Sequence, residues 1–149
     1  MIHIQALVEP PTVAPEFIRA AAEAALTHEG ASGELTVVLA GDAQLQALNR
    51  QYLGLDAPTD VLAFPAAQPD PESAGRYLGD ILVSVQQANA QAGRAGHPLE
   101  SEVQLLVVHG VLHLLGHDHA DAWAKSRMWA AQAEILRGLG LRDVMVSET

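Results

Sequence analysis

The chain has 149 residues, 49% of them apolar and 17% charged, which suits one folded domain over residues 1–149 and excludes a disordered chain. It has no cysteine, so disulfides and thiolate metal sites are excluded, and the composition fits a reducing cytosol. The formal net charge is −10 with only 8 Lys and Arg residues, which argues against a sequence-independent grip on nucleic acid, since phosphate binding draws on clustered cations.

The N-terminus, MIHIQALVEPP, lacks the basic-then-apolar order of a signal peptide, and no apolar stretch approaches the length of a membrane span. Ile2, Ile4, Ala6 and Val8 alternate with other residues and predict a strand. Pro15 opens a helix whose stripe is Phe17, Ile18, Ala21, Ala25 and Leu26, and Gly30 ends it. LTVVLA at 35–40 predicts a central strand. Asp42 is placed as the N-cap of a second helix bearing Leu45, Leu48 and Tyr52. The turn-rich GLDAPTD leads to a strand at Val61–Phe64, an exposed Pro-rich loop at 65–76, and a strand at Tyr77–Val83. With no helix between them, these two strands pair antiparallel. Ser84 and Gln87 suggest a capping box for a helix ending near Gly93 or Gly96. Pro98 opens a helix to about Leu115, and Asp121 caps a last one with Met128, Ala131, Ile135 and Leu139 buried. The order β-α-β-α-β-β-α-α-α predicts an α+β fold: one domain with a small mixed sheet packed by about five helices.

Four of the seven histidines fall in HGVLHLLGHDH, residues 109–119. QLLVVHGVLHLLG is apolar on every side, so its helix belongs at the centre of the fold. His109 and His113 are four apart and share one helix face, one turn apart. Gly116 ends the helix, and the chain then brings His117, Asp118 and His119 back toward it. Two imidazoles on a helix and a third from the next loop make a three-nitrogen metal site, which suits zinc and leaves a fourth position for water. The chemistry would then rest on water at the metal, and no side chain is assigned as a separate catalytic group. His117 and His119 compete for the third position, and spacing alone does not choose between them. A structural site with His117 as fourth ligand, or plain core histidines with hydrogen-bond partners, are the competing readings. The metalloprotease motif H-E-x-x-H is not met, because residue 110 is Gly. Glycine inside a helix costs about 1 kcal/mol against Ala, so it implies a close approach at that point, by substrate or by a packed neighbour. Asp118 is read as orienting a ligand or capping the turn, and Asp80 as needing no more than a hydrogen-bond partner.

His109, Gly110, Leu112, His113, Leu114, Gly116, Asp118 and His119 spell H-G-x-L-H-L-x-G-x-D-H, which resembles the bacterial YbeY family. LNRQY at 48–52, DAPTDVLAFP at 56–65, LGDILVS at 78–84 and HPLESEVQLLVVHG at 97–110 resemble the family's segments in the same order. The resemblance implies a metal-dependent, single-strand-specific endoribonuclease acting in ribosomal RNA maturation. It implies one zinc ion held by His109, His113 and His119 at the floor of a cleft, with His117, where the family often has Tyr, set aside. It implies a cytoplasmic protein associated with ribosomal RNA, the small ribosomal subunit and its assembly factors. The chain departs from the family at Leu53, where Arg is usual, and at Ala63, where Ser is frequent. Arg50, one helical turn before Leu53, is the residue expected to contact substrate in its place, with Arg76 and Arg94 as other candidates. Two further readings stand beside the nuclease: a zinc-containing ribosome-assembly factor with little cleavage, favoured by Leu53 and the negative charge, and a zinc hydrolase of peptides, disfavoured by Gly110. No long exposed apolar face is read from the sequence, so the chain is expected to be a monomer.

Overall fold

A computed structural model of the chain describes residues 1–8, 13–66 and 76–141. The described elements follow the predicted order: β1 Ile2–Ala6, α1 Pro15–His28, β2 Glu34–Ala40, α2 Asp42–Leu53, β3 Val61–Pro65, β4 Tyr77–Ser84, α3 Val85–Ala95, α4 Leu99–Leu114 and α5 Ala122–Gly138. The strands form one mixed sheet in the order β1-β2-β4-β3. β1 and β2 are parallel, as are β2 and β4, while β3 runs antiparallel to β4, as the short connection requires. The fold is α+β, with five helices and a four-stranded mixed sheet. Most of the expected loop at 65–76 lies outside the described residues.

Strand alternation divides the core in two. Leu35, Val37, Ile81 and Val83 face the main cluster, built with α1, α3, α4 and α5. Leu82, Leu62 and Phe64 face the other way and pack with Leu45 and Leu48 of α2. α4 contacts α1, α3, α5, β3 and β4, which explains why every residue from Ser101 to Val108 is buried, the polar Ser101, Glu102 and Gln104 included.

The glycine in this helix marks a close approach to the sheet. A Cβ on Gly110 would lie 2.7 Å from Ile81 Cγ2, and 3.2 Å from two other atoms of the same side chain. Of the two readings of Gly110, helix packing against a neighbour accounts for it.

Two helix starts differ from the expectation. Gly41, not Asp42, is the N-cap of α2, and its N–H donates to Gln44 Oε1 at 2.8 Å. Asp42 sits in the first turn, where its charge still suits the helix N-terminus. Its carboxylate accepts from Ser84 Oγ at 2.6 Å and from Gln87 Nε2 at 3.2 Å, tying α2 to α3. Only half of the Ser84–Gln87 capping box therefore forms: Ser84 Oγ accepts from the Gln87 N–H, while the Gln87 side chain reaches Asp42 instead. α3 ends at Gly96, which takes the left-handed conformation. Asp121 caps α5 as expected, accepting from the Ala124 N–H at 2.8 Å.

The Gly110–Ile81 contact makes a specific prediction. Gly110→Ala should lower stability by about 1–3 kcal/mol through overpacking, measured by denaturant unfolding. Combined with Ile81→Ala, the loss should be clearly smaller than the sum of the two single losses. Simple additivity would show that the two residues do not share this contact.

Candidate metal centre

His109 and His113 stand one turn apart on the face of α4 that is not buried by a neighbour, and both are half-buried. Leu115 and Gly116 close the helix: the Gly116 N–H donates to the His113 carbonyl and the His117 N–H to the Leu112 carbonyl, with Gly116 at φ +99°. This turn sends the chain back across the helix end. His109, His113 and His119 then each offer a ring nitrogen, all within 4.8 Å of one another. Spacing left His117 and His119 as alternatives, and the structure separates them, because the segment is not an extended strand. His117 turns to α1, where its Nε2–H donates to Glu29 Oε1 at 2.5 Å.

The donor set fits a metal ion. The Nε2 atoms of His109 and His113 lie 3.1 Å apart. Two nitrogens at about 2.0–2.1 Å from one tetrahedral ion would be about 3.3–3.4 Å apart. The other nitrogen of His109 is already used: Nδ1–H donates to Gln132 Oε1 at 2.5 Å. That bond leaves the Nε2 lone pair facing His113 and His119. Gln132 is itself buried on α5, and its Nε2 is the one buried side-chain nitrogen or oxygen without a partner among the described residues. Reversing the amide would aim an N–H at Nδ1 and put the imidazole proton on the metal side, so only one orientation of Gln132 serves a metal ligand.

Burial is the main reason that His109 is held below its ordinary pKa, with the Gln132 hydrogen bond pulling the other way. His113 is lowered to about 4, first by burial and then by repulsion from His109 and His119. Both shifts keep the imidazoles neutral, the form that binds a metal. Trp129 stands edge-on to His109 and His119, with ring centroids 5.9 Å away in each case.

The third ligand is held from outside the motif. Burial pushes the Glu29 carboxyl up, but hydrogen bonds from His117 and His28 outweigh it and hold it below its ordinary value. His28 also donates to Glu134 of α5 at 2.7 Å, and the two carboxylates raise its pKa, Glu134 most strongly. Asp118 caps the turn, with Oδ1 accepting from the Ala120 N–H at 3.1 Å.

The histidines lie at one side of a cleft of about 670 Å³ between α4, the end of α2 and the edge strand β3. Its walls include Asn49, Tyr52, Leu53, Leu55 and Ala63, and Tyr52 packs edge-on against Phe64 at 5.4 Å. Asp60 is the one carboxylate among the described residues of the lining, and its Oδ2 accepts from Gln91 Nε2 at 3.2 Å. Leu53, at 59% exposure, stands at the rim. Arg50 is exposed on α2 and is not part of the lining, and neither are Arg76 and Arg94. Asp80 lies elsewhere, accepting from the Tyr77 hydroxyl. Gln132, Trp129, Asp60 and Glu29 were not singled out by the sequence, because each reaches the site from a distant segment.

Comparison with known proteins decides the family. The model described as endoribonuclease YbeY matches residues 9–140. The chain belongs to the YbeY family. A YbeY endoribonuclease of Roseiflexus sp. (strain RS-1) is 46% identical over 145 residues, covering 90% of this chain and 91% of that one. One from Deinococcus radiodurans is 44% identical over 123 residues, covering 82% and 79% of the two chains. One from Carboxydothermus hydrogenoformans is 38% identical and covers 93% and 95%. The solution structure of TM1509 from Thermotoga maritima has the same fold, with a TM-score of 0.57, 24% identity and full coverage of both chains. The three histidines of the YbeY motif are thus the ones that this structure groups to hold a metal ion.

The Gln132 contact gives this site its own test. Gln132→Leu should weaken metal binding by about 10–100-fold, read by competition with a chromophoric chelator, whereas Gln132→Glu should preserve or strengthen it. Equal affinity in all three proteins would show that the contact does not orient His109.

Proposed function

We propose that the chain is a zinc-dependent, single-strand-specific endoribonuclease that works as one domain, a cytoplasmic monomer, in maturation of the small-subunit ribosomal RNA 3′ end and in ribosome quality control. Its partners on this reading are ribosomal RNA, the small ribosomal subunit and its assembly factors. The observation that carries the reading is the convergence of His109, His113 and His119 beside an open cleft in a chain of the YbeY family. Three imidazoles without a thiolate suit zinc and leave a coordination position open. A zinc ion held there supplies a Lewis acid for a phosphoryl oxygen and lowers the pKa of its water.

The chain's own residues do the rest. His109 and His113 present neutral nitrogens from a rigid helix, and Gln132 fixes the tautomer of His109. Glu29 holds His117, which sets the path of the loop that carries His119. Trp129 covers one side of the imidazoles and limits water there. Asp60 lies within the cleft as a carboxylate able to take up or return a proton. Arg50, exposed one turn before Leu53 and not part of the cleft lining, would meet a phosphate only outside the cleft.

The assembly-factor reading has one observation in its favour. No Lys or Arg is among the described residues of the cleft lining, and Leu53 offers no charge to a phosphate. Cleavage and metal content of one preparation separate the readings. Wild type should hold about one zinc per chain and cut single-stranded ribosomal RNA, and His113→Ala should do neither. Zinc without any cleavage would move the assembly factor ahead. Leu53→Arg should raise cleavage if phosphate contact limits the enzyme, and should leave it unchanged if the position is not critical.

The buried histidines also set a pH dependence. In the unfolded chain His113 titrates near 6.5, and in the folded chain near 4. Between these values the unfolded state binds more protons, so stability is complete above pH 6.5 and falls as the pH drops toward 4. Thermal unfolding of the metal-free protein across this range should show the fall, and His113→Leu should flatten it. An unchanged slope in the variant would place the dependence on other groups.

A further inference from the structure

The whole chain has 8 Lys and Arg residues, and none is among the described residues that line the metal cleft. Two of them lie between the two tryptophans in one stretch of α5, Trp123, Lys125, Arg127 and Trp129. Four-residue spacing puts each cation over a ring. Arg127 Cζ is 4.9 Å from the Trp123 centroid, and Lys125 Nζ is 5.6 Å from that of Trp129. Trp129 in turn abuts His109 and His119. This stretch therefore begins at the metal centre and runs outward.

At its outer end Trp123 is 69% exposed. Beside it opens a cavity of about 390 Å³, walled by Leu115, Gly116, His117, Asp118, Arg127 and Glu29. Four of these wall residues lie in the loop between His113 and His119, so the cavity and the metal centre share that loop. Arg127 has no ion-pair partner among the described residues.

We propose that this flank of α5 is where single-stranded RNA is held as it reaches the metal centre, with a nucleobase stacked on Trp123 and a backbone phosphate paired with Arg127. The proposal rests on the endoribonuclease reading and names the surface that serves it. An indole face stacks any base, which suits a single strand and not a duplex with its bases already stacked. Asp118 and Glu29 repel a phosphate within the cavity but accept from exocyclic amino groups, so the base lies inward and the phosphate outward, toward the guanidinium. The net charge of −10 works against a general grip on a polyanion, so binding here has to rest on base stacking and one local cation.

The test is fluorescence anisotropy of a short, unstructured, labelled oligoribonucleotide on the full chain, with chelator present to prevent cleavage. Trp123→Ala should raise Kd about tenfold, and Trp123→Phe much less. Arg127→Ala should weaken binding and reduce the slope of log Kd against log salt by about one. A duplex of the same sequence should bind more weakly than the single strand. Both side chains are exposed, so unfolding temperature and metal affinity should stay at wild-type values. No measurable binding by wild type, or an unchanged Kd in both alanine variants, overturns the proposal. Cleavage measured in parallel on the zinc-loaded proteins separates it from the wider reading. Cleavage that is indifferent to Trp123 and Arg127 removes this surface and keeps the nuclease, whereas Trp123-dependent binding without cleavage keeps the surface and removes the nuclease.

Discussion

Helix α4 approaches strand β4 so closely that residue 110 has no room for a methyl group. The rest of the site depends on this contact. It seats a largely apolar helix against the sheet with other helices around it, and leaves half-buried the two positions that carry His109 and His113. The face they share opens beside β3, the edge strand of the sheet among the described residues. Desolvation is the main reason that both imidazoles are held below their ordinary pKa, and repulsion from the neighbouring histidines adds to it. Packing and chemistry are therefore one arrangement: the forces that bury α4 also prepare its histidines as ligands.

Much of this is legible in the sequence because it is local. The i,i+4 spacing of His109 and His113, the turn at Gly116, the order of elements and the antiparallel β3–β4 pair all follow from periodicity and turn chemistry. What escapes is set by residues far apart in the chain. His117 and His119 are indistinguishable by spacing, and their separation depends on Glu29, 88 positions before His117. The tautomer of His109 depends on Gln132, on another helix. The α2 cap moved by one residue because Asp42 is drawn to Ser84 and Gln87, partners that no local rule supplies. The family resemblance pointed to His119, which the structure groups with His109 and His113, but it carried no information about these supports.

Electrostatics is arranged by exclusion as much as by attraction. The α2 and β3 walls of the cleft are apolar or neutral apart from Asp60, while aromatic–cation pairs are confined to α5 on the other flank. A nuclease of this composition would distinguish its substrate by stacking and shape more than by total charge, in contrast to proteins whose affinity follows the number of neutralised phosphates. Leu53 leaves the α2 wall without a cation, and the two cations paired with indole rings lie on α5 instead.

The ligand set is divided between two bodies. His109 and His113 ride on a helix locked into the core, whereas His119 belongs to a loop fastened to α1 through Glu29 and, through His28, to α5. An ion shared by both would act as a cross-link between them, closing a short loop whose residues are exposed from Asp118 to Asp121. Metal occupancy and the order of this loop would then be one equilibrium, in which the ion stabilises the folded loop by mass action as its concentration rises above its dissociation constant. Trp123 lies just beyond this loop, in α5 behind the Asp121 cap, so the ion would order the ligand-bearing loop while the helix itself carries the protein's most exposed aromatic.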